Sequence, residues 1–308
     1  MSDRNVAVVF PGQGSQFAGM ADPWAAHPAG RQVLEEASAL LTRDLIGDCH
    51  DEALLATTAF AQPALLACDV AAFRVLEAGG VSHWVGTAGH SLGEFAALVA
   101  ADVLSFADAM RIVAVRGREM QHAGEARAGT MSAVLGIGAD DAAALCDEVR
   151  HDDVIVVANE NSPQQVVISG TVAAIERAET VCAQRRIRAV RLAVAGAFHS
   201  PLMEPAVAPL TEAIGATRFS APRFPVASNV TGEISDDPET LRILLSRHVV
   251  SSVRWGSCAQ ALQRVGAEVF LEAGPGDVLT KLAKRVVPGT EALAVGSIET
   301  ARSFARPV

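Results

Sequence analysis

Gly89-His90-Ser91-Leu92-Gly93 follows a short strand-like run, His83 to Ala88, and passes at once into the helical pattern Glu94-Phe95-Ala96-Ala97-Leu98. A G-x-S-x-G pattern between strand and helix is a nucleophile elbow. Its sharp turn holds a serine in a strained conformation at a helix N-terminus, where unpaired N–H groups stabilise an oxyanion. The plainer reading is a glycine-rich turn with an idle serine. A serine hydroxyl needs a base to attack. Of the eight histidines, His90 adjoins Ser91 but points elsewhere on the turn. His199, in Ala195-Gly196-Ala197-Phe198-His199-Ser200-Pro201-Leu202, stands where one folding unit returns to another, the kind of cleft in which sites lie. A satisfied surface histidine is the alternative. No aspartate or glutamate between Ser91 and His199 stands out as the third member of a hydrolase triad, so a dyad with a carbonyl-oriented imidazole fits better.

A third residue sits on an unexpected face. From Ala107 to His122 the pattern is helical, and Arg116 shares the apolar stripe of Ala109, Ile112, Val113 and Met120, while Arg111 and Arg118 lie opposite. A guanidinium on such a stripe must meet an anion, because burying it unpaired is very costly. That anion is either a distant carboxylate of the chain or the carboxylate of a substrate held by the guanidinium fork.

These residues need a scaffold, and the pattern supplies one. Val6 to Phe10 reads as a buried strand stopping at Pro11-Gly12-Gln13-Gly14-Ser15. A long helix is expected to begin after Gln62-Pro63, with the proline in its first turn, and to end at Gly79-Gly80. Strand Met131 to Ile137, helix Asp140 to Val149, strands Val154 to Ala158 and Gln165 to Ser169, helix Val172 to about Arg185 and strand Ile187 to Val194 spell β-α-β-β-α-β, the order of a ferredoxin-like unit. That unit interrupts an α/β alternation which resumes with strands near 225–228 and 268–272, as in a mainly parallel sheet.

Composition bounds the function. The chain has 308 residues, half of them apolar, with 25 basic against 35 acidic residues and a net charge of −10, which disfavours a general nucleic-acid binder. The N-terminus lacks the parts of a signal peptide, and no 18-residue apolar span is expected, so a cytoplasmic protein without membrane attachment is the reading. Five scattered cysteines with no C-x-x-C pair argue against a disulfide framework or a zinc site and read as small buried hydrophobes.

Taken in order, the chain contains Pro11-Gly12-Gln13-Gly14-Ser15-Gln16, Gln62-Pro63-Ala64-Leu65, Gly89-His90-Ser91-Leu92-Gly93-Glu94, Arg116-Gly117, Asn161-Ser162-Pro163-Gln164, Gly196-Ala197-Phe198-His199-Ser200, Ser228-Asn229-Val230-Thr231-Gly232 and Glu272-Ala273-Gly274-Pro275-Gly276. Over nearly its whole length it resembles the malonyl-CoA:acyl carrier protein transacylase family, which includes the acyltransferase domains of polyketide synthases. The resemblance implies an α/β fold, with a hydrolase-like large subdomain built on a parallel sheet (1–127 and 197–308) and an inserted ferredoxin-like small subdomain (128–196). It further implies that Ser91 forms an acyl-enzyme with His199 as base, that the Gln13 and Leu92 N–H groups make the oxyanion hole, and that Arg116 pairs with the malonyl carboxylate. Gln62, Asn161 and Phe198 fall at substrate-binding positions. The expected reaction is ping-pong from malonyl-CoA through a seryl ester to the phosphopantetheine thiol of an acyl carrier protein, by a monomer that uses no metal or other cofactor.

Two positions depart from the family pattern. The carbonyl that orients the histidine usually belongs to a glutamine seven residues before a tryptophan, and here that position, counted from Trp255, is His248. Glu160 stands where relatives often carry tyrosine. In the polyketide domains, Leu92 and the triplet Ala197-Phe198-His199 accompany malonyl rather than methylmalonyl, as though Phe198 filled the space of an α-methyl group. Two basic clusters are candidates for docking an acidic carrier protein: Arg186 and Arg188 beside Arg185 and Arg191, and Lys281 and Lys284 beside Arg285. Solvated charged faces would look the same. The competing functions are a serine hydrolase or thioesterase, a discrete polyketide acyltransferase with another extender unit, and a carrier-binding scaffold with a dead site.

Overall fold

The computed structural model describes residues 4–305; the outermost residues of the expected large unit, 1–3 and 306–308, lie outside them. Ten strands are present among the described residues: β1 (Val6–Phe10), β2 (Trp84–Gly89), β3 (Gly129–Leu135), β4 (Ile155–Ser162), β5 (Gln165–Thr171), β6 (Arg188–Arg191), β7 (Val226–Ala227), β8 (Ile234–Ser235), β9 (Val269–Ala273) and β10 (Glu291–Val295). They form two sheets. The first runs β10-β9-β1-β2-β7-β8, parallel throughout except for the β7–β8 pair. The second, β4-β5-β3-β6, is antiparallel.

Val6–Phe10 is buried at every residue because β1 lies between β2 and β9 with both faces covered, the environment that selects continuous apolar strands. Phe10 pairs with Gly89 and Val9 with Glu272, so the three turns leaving β1, β2 and β9 emerge side by side at the carboxyl ends of the strands. Parallel sheets place their ligands there. The second sheet has its own apolar cluster, including Val134, Leu145, Ile155, Ile168 and Ile175. With that core in hand, we propose 128–196 as an inserted unit. It meets the rest of the chain where Val253 donates to the Ala158 carbonyl and Glu160 N–H donates back to Val253.

Two helices differ from their expected form in ways that matter. The Thr58–Ala78 helix begins before Pro63, not after it. Thr57 leaves extended backbone and accepts the first helical bond from Ala61, so Pro63 sits in the second turn, where its missing N–H leaves one carbonyl without its usual partner. Burial of Phe60, Ala61 and Gln62 favours that earlier start. The same helix overturns the expectation that no apolar span reaches 18 residues. By length and composition it could cross a membrane, but 89% of its most apolar window is buried inside this protein, so it is the central core helix. Strand β6, in turn, is only Arg188–Arg191, shorter than the expected Ile187 to Val194.

The Phe106–Ala126 helix is capped by Ser105, whose hydroxyl accepts from Asp108 N–H at 3.0 Å. It lies close against the core helix, with Gly117 beside the Thr58 carbonyl, where a Cβ would come within 2.9 Å. This contact buries Ala109, Ile112, Val113 and Met120, and Arg116 with them.

Candidate active site

Ser91 leaves β2 in the left-handed region, φ +51°, a conformation a non-glycine residue adopts only when its surroundings enforce it. The flanking glycines show how. A Cβ on Gly89 would come within 1.8 Å of the Gly93 backbone, and one on Gly93 within 2.1 Å of the Phe10 carbonyl oxygen. The turn can cross over β1 only if both side chains are absent. Ser91 N–H donates to Asn229 Oδ1 at 2.8 Å, which anchors the turn from a distant loop.

His199 Nε2 lies 2.7 Å from Ser91 Oγ. Its Nδ1 faces two backbone carbonyls, His248 at 3.1 Å and Ser251 at 3.0 Å. Carbonyls only accept, so Nδ1 carries the proton and Nε2 presents its lone pair to the serine hydroxyl. The His248 carbonyl is the one the sequence singled out, and Ser251 is a second acceptor that the sequence did not reveal. Burial, reinforced by the charge of Arg116 and by His90, pulls the His199 pKa down to about 3, so the ring is neutral at physiological pH.

Arg116 is 1% exposed and makes no ion pair among the described residues. Nη1 donates to Gln62 Oε1 at 2.6 Å and Nη2 to Ser91 Oγ at 3.0 Å, while the buried Nε has no partner. Burial lowers its pKa to about 9, against the opposing effect of Glu94. The alternative of a structural ion pair therefore fails: no carboxylate among the described residues reaches this guanidinium. What remains is a side-on fork, Nε and Nη2, turned toward the Ser91 hydroxyl and incompletely used.

Gln62, expected at a substrate-binding position, is the arginine's tether. Its amide donates onward to Gln13 Oε1 at 3.3 Å and to Met120 Sδ at 3.4 Å, and Gln13 donates in turn to Thr58 Oγ1 at 3.3 Å. Gln13 leaves the end of β1 and Leu92 follows the serine. Neither backbone N–H donates to any group among the described residues, so both are free for an oxyanion. Asn161, at the end of β4, meets His90 Nε2 at 2.8 Å and so joins the two sheets beside the elbow. Phe198 is buried in the main core next to His199. Glu160 turns toward Ser252 and Arg254.

The basic clusters lie apart. Arg186 and Arg188 are exposed around β6, the edge strand farthest from β4, and Arg185 and Arg191 are engaged by Glu148 and Glu179. Lys281 and Lys284 are exposed on the Val278–Val286 helix, which follows the Gly274 turn, and Lys281 pairs with Asp277 at 2.8 Å. Gly276 lies against Ser15, so this second cluster begins close to the Gln13 loop.

Behind the serine lies a network the motifs did not reveal. Glu94, Asn229 and the His248 side chain are all buried. Asn229 N–H donates to Glu94 Oε2 at 3.0 Å, and its Nδ2 donates to the Gly89 carbonyl at 2.7 Å. Burial raises the Glu94 pKa to about 7, despite the Asn229 N–H, Ser228 and Arg116. Among the described residues no group of three or more His, Cys, Asp or Glu side chains is placed to hold a metal, and the five cysteines are buried free thiols.

This constellation has close counterparts. Malonyl CoA-acyl carrier protein transacylase of Escherichia coli is 40% identical over 285 residues, covering 91% of this chain and 92% of that protein. The solved structure of malonyl CoA-acyl carrier protein transacylase from Coxiella burnetii superposes with a TM-score of 0.95 at 35% identity, covering 99% of this chain and 98% of that one. A structure of a type II PKS acyl-carrier protein in complex with its malonyl-transacylase matches at TM-score 0.92 and 39% identity, covering 97% and 99%. The acyl transferase domain family matches residues 7–301, a span that takes in both sheets and every residue of the elbow, and the chain therefore belongs to that family.

Proposed function

We propose that this protein transfers a malonyl group from malonyl-CoA to the phosphopantetheine thiol of an acyl carrier protein, through an ester on Ser91. The observation that carries this reading is Arg116: a buried, unpaired cation whose fork is turned to the Ser91 hydroxyl. A hydrolase acting on neutral acyl groups has no use for it, and burying it with no anion is too costly to be idle.

In the first half-reaction His199 Nε2 takes the Ser91 proton as Oγ attacks the thioester carbonyl, and the Gln13 and Leu92 N–H groups receive the developing oxyanion. Collapse of the tetrahedral intermediate breaks the C–S bond, and His199 returns the proton to the departing CoA sulfur. In the second half the carrier's thiol gives its proton to His199, its sulfur attacks the seryl ester, and Ser91 recovers the proton. The carbonyls of His248 and Ser251 hold the imidazole in the required tautomer throughout. The malonyl carboxylate occupies the Nε and Nη2 side of Arg116, which restores to that cation the anion it lacks. Ester formation takes Oγ away from Nη2 as a competing acceptor, so the fork is free when the acyl group needs it.

Phe198 is proposed to restrict the α-carbon to malonyl, Asn161 and Gln62 to act by holding His90 and Arg116, and the Arg186–Arg188 and Lys281–Lys284 clusters to draw in the carrier. The enzyme works as a cytoplasmic monomer and needs no metal or redox cofactor. The relative solved with a polyketide acyl-carrier protein supports a carrier partner, in fatty acid or polyketide synthesis alike.

Intact-protein mass spectrometry tests the reading. Wild type mixed with malonyl-CoA gains a malonyl adduct, Ser91→Ala does not, and a holo acyl carrier protein discharges the adduct onto its own thiol. An adduct lost to water as fast as to the carrier would instead mark a hydrolase.

A further inference from the structure

The His248 side chain is completely buried behind the elbow, 5.3 Å from the His199 ring and edge-on to it. The backbone carbonyl of His248 already orients His199, a task any residue could perform, so that role leaves the imidazole unexplained. Its surroundings are specific. Nε2 lies 3.2 Å from Asn229 Oδ1 and 3.5 Å from Glu94 Oε2, Phe95 packs edge-on at 6.5 Å, and Nδ1 has no partner.

The orientation of Asn229 is fixed by its other bonds. Nδ2 donates to the Gly89 carbonyl and Oδ1 accepts from the Ser91 N–H, and neither bond survives an amide flip. Oδ1 can therefore only accept from His248, so Nε2 is the protonated nitrogen and Nδ1 is bare. The imidazole is neutral for two reasons: its Nδ1 has no acceptor waiting, and burial beside Arg116, His199 and His90 holds its pKa well below the usual value. Oδ1 has two lone-pair directions, and the two donors, Ser91 N–H and His248 Nε2–H, use both.

Asn229 is thus the strap across the elbow, joined to both Gly89 at its start and Ser91 itself, and His248 adds the third bond that tightens the strap. We propose that the His248 imidazole is a positioning residue for the nucleophile, acting through Asn229 to hold Ser91 in its left-handed conformation. This rests on the reading of Ser91 as the acylated residue, and it concerns the side chain alone, apart from the carbonyl's role on His199. If Asn229 rotates, Ser91 N–H loses its acceptor, the strained φ of +51° is no longer enforced, and Oγ leaves the line between His199 and the incoming carbonyl. Binding of the acyl-CoA, which Arg116 and the cleft carry out, is untouched.

The test compares wild type, His248→Leu and His248→Gln. Leucine fills the space without a donor, and glutamine keeps an N–H at the end of the side chain. Two rates are read: acylation of Ser91 by malonyl-CoA, followed by intact mass, and labelling of Ser91 by a fluorophosphonate, which reacts with any histidine-activated serine whatever its natural substrate. The expected result is an acylation kcat about 10-fold lower in His248→Leu, equivalent to about 1.4 kcal/mol, at unchanged KM, with fluorophosphonate labelling slowed in parallel. His248→Gln returns both rates to within about threefold of wild type. Equal rates in wild type and His248→Leu overturn the proposal, as does a His248→Gln as slow as His248→Leu, since the ring's bulk would then be what matters. Should His248→Leu fail to fold, wild-type rates in Asn229→Asp overturn the proposal, because that carboxylate cannot donate to Gly89, whereas slowed labelling there supports the strap. Wild type that takes the fluorophosphonate but not malonyl refutes the malonyl reading and leaves the strap standing; wild type that takes neither overturns both.

Discussion

Replacing Arg116 by alanine is the perturbation that separates a carboxylate-selecting acyltransferase from its rivals. In the free protein Arg116 donates Nη1 to Gln62 and Nη2 to Ser91 Oγ, and its Nε is unsatisfied. A malonyl carboxylate on the Nε and Nη2 edge would form two charge-assisted bonds, each contributing about 1.5–3 kcal/mol. One of those donors already has Ser91 Oγ as a partner, so the net gain is about 3–4 kcal/mol, a factor of about 10²–10³ in kcat/KM for malonyl-CoA. Acetyl-CoA has no carboxylate to lose. The alanine variant also removes a cation that depresses the His199 pKa and a donor that ties up Oγ, so acetyl transfer holds within about threefold or rises. The assay is the rate of adduct formation on Ser91 by quenched-flow mass spectrometry, with both thioesters on the same preparation, so that any loss of folded protein cancels in the ratio. A malonyl-to-acetyl ratio within about threefold of wild type would show that Arg116 does not select the carboxylate.

The remaining expectations concern pH, acyl shape and docking. Because Arg116 ionises at about 9 and is needed as a cation, kcat/KM for malonyl-CoA falls as pH rises through 9, while acetyl-CoA shows no such limb and bound malonate moves it upward in kcat. His199, at about 3, adds no acid limb near 6.5; finding one would contradict the buried neutral ring. Replacing Phe198 by alanine raises methylmalonyl transfer relative to malonyl by about 10-fold or more, from about 1–3 kcal/mol per methylene-sized clash, and an unchanged ratio in a competition assay places the steric limit elsewhere. Charge reversal at Lys281 and Lys284 raises KM for the carrier protein several-fold at low salt without changing acylation by malonyl-CoA. The same reversal at Arg186 and Arg188, on the far edge strand, tests the other cluster by the same readout.

What could be read from the sequence was local or periodic. The elbow is five consecutive residues, and Gly89 and Gly93 are forced by backbone crossings of 1.8 and 2.1 Å, so its spelling carries its geometry. Arg116 was conspicuous because a helix with a period of 3.6 residues exposes any charge on the wrong face. Order alone gave the second sheet, whose β-α-β-β-α-β run closes as β4-β5-β3-β6. What escaped was long-range. Asn229 lies 138 residues from Ser91, and Ser251 is 52 from His199; the motif around Asn229 is visible in the sequence, but not the residue it reaches. The proline at 63 misplaced a helix start because burial of Phe60, Ala61 and Gln62 outweighed the bond that Pro63 cannot make.

Asn229 follows β7, a strand of only two residues that pairs with the equally short β8 at the edge of the sheet. An edge so lightly held opens more readily than the buried centre around β1. The turn at Ser91 is therefore tied to the lighter end of the sheet through a single buried side chain. On warming, thioester chemistry stops before the helices melt, and inactivation followed by labelling of Ser91 runs several degrees below the transition seen by circular dichroism. Opening at that edge would free the Ser91 N–H from Asn229 while the buried strands around β1 stay paired, so reactivity would be lost before the core.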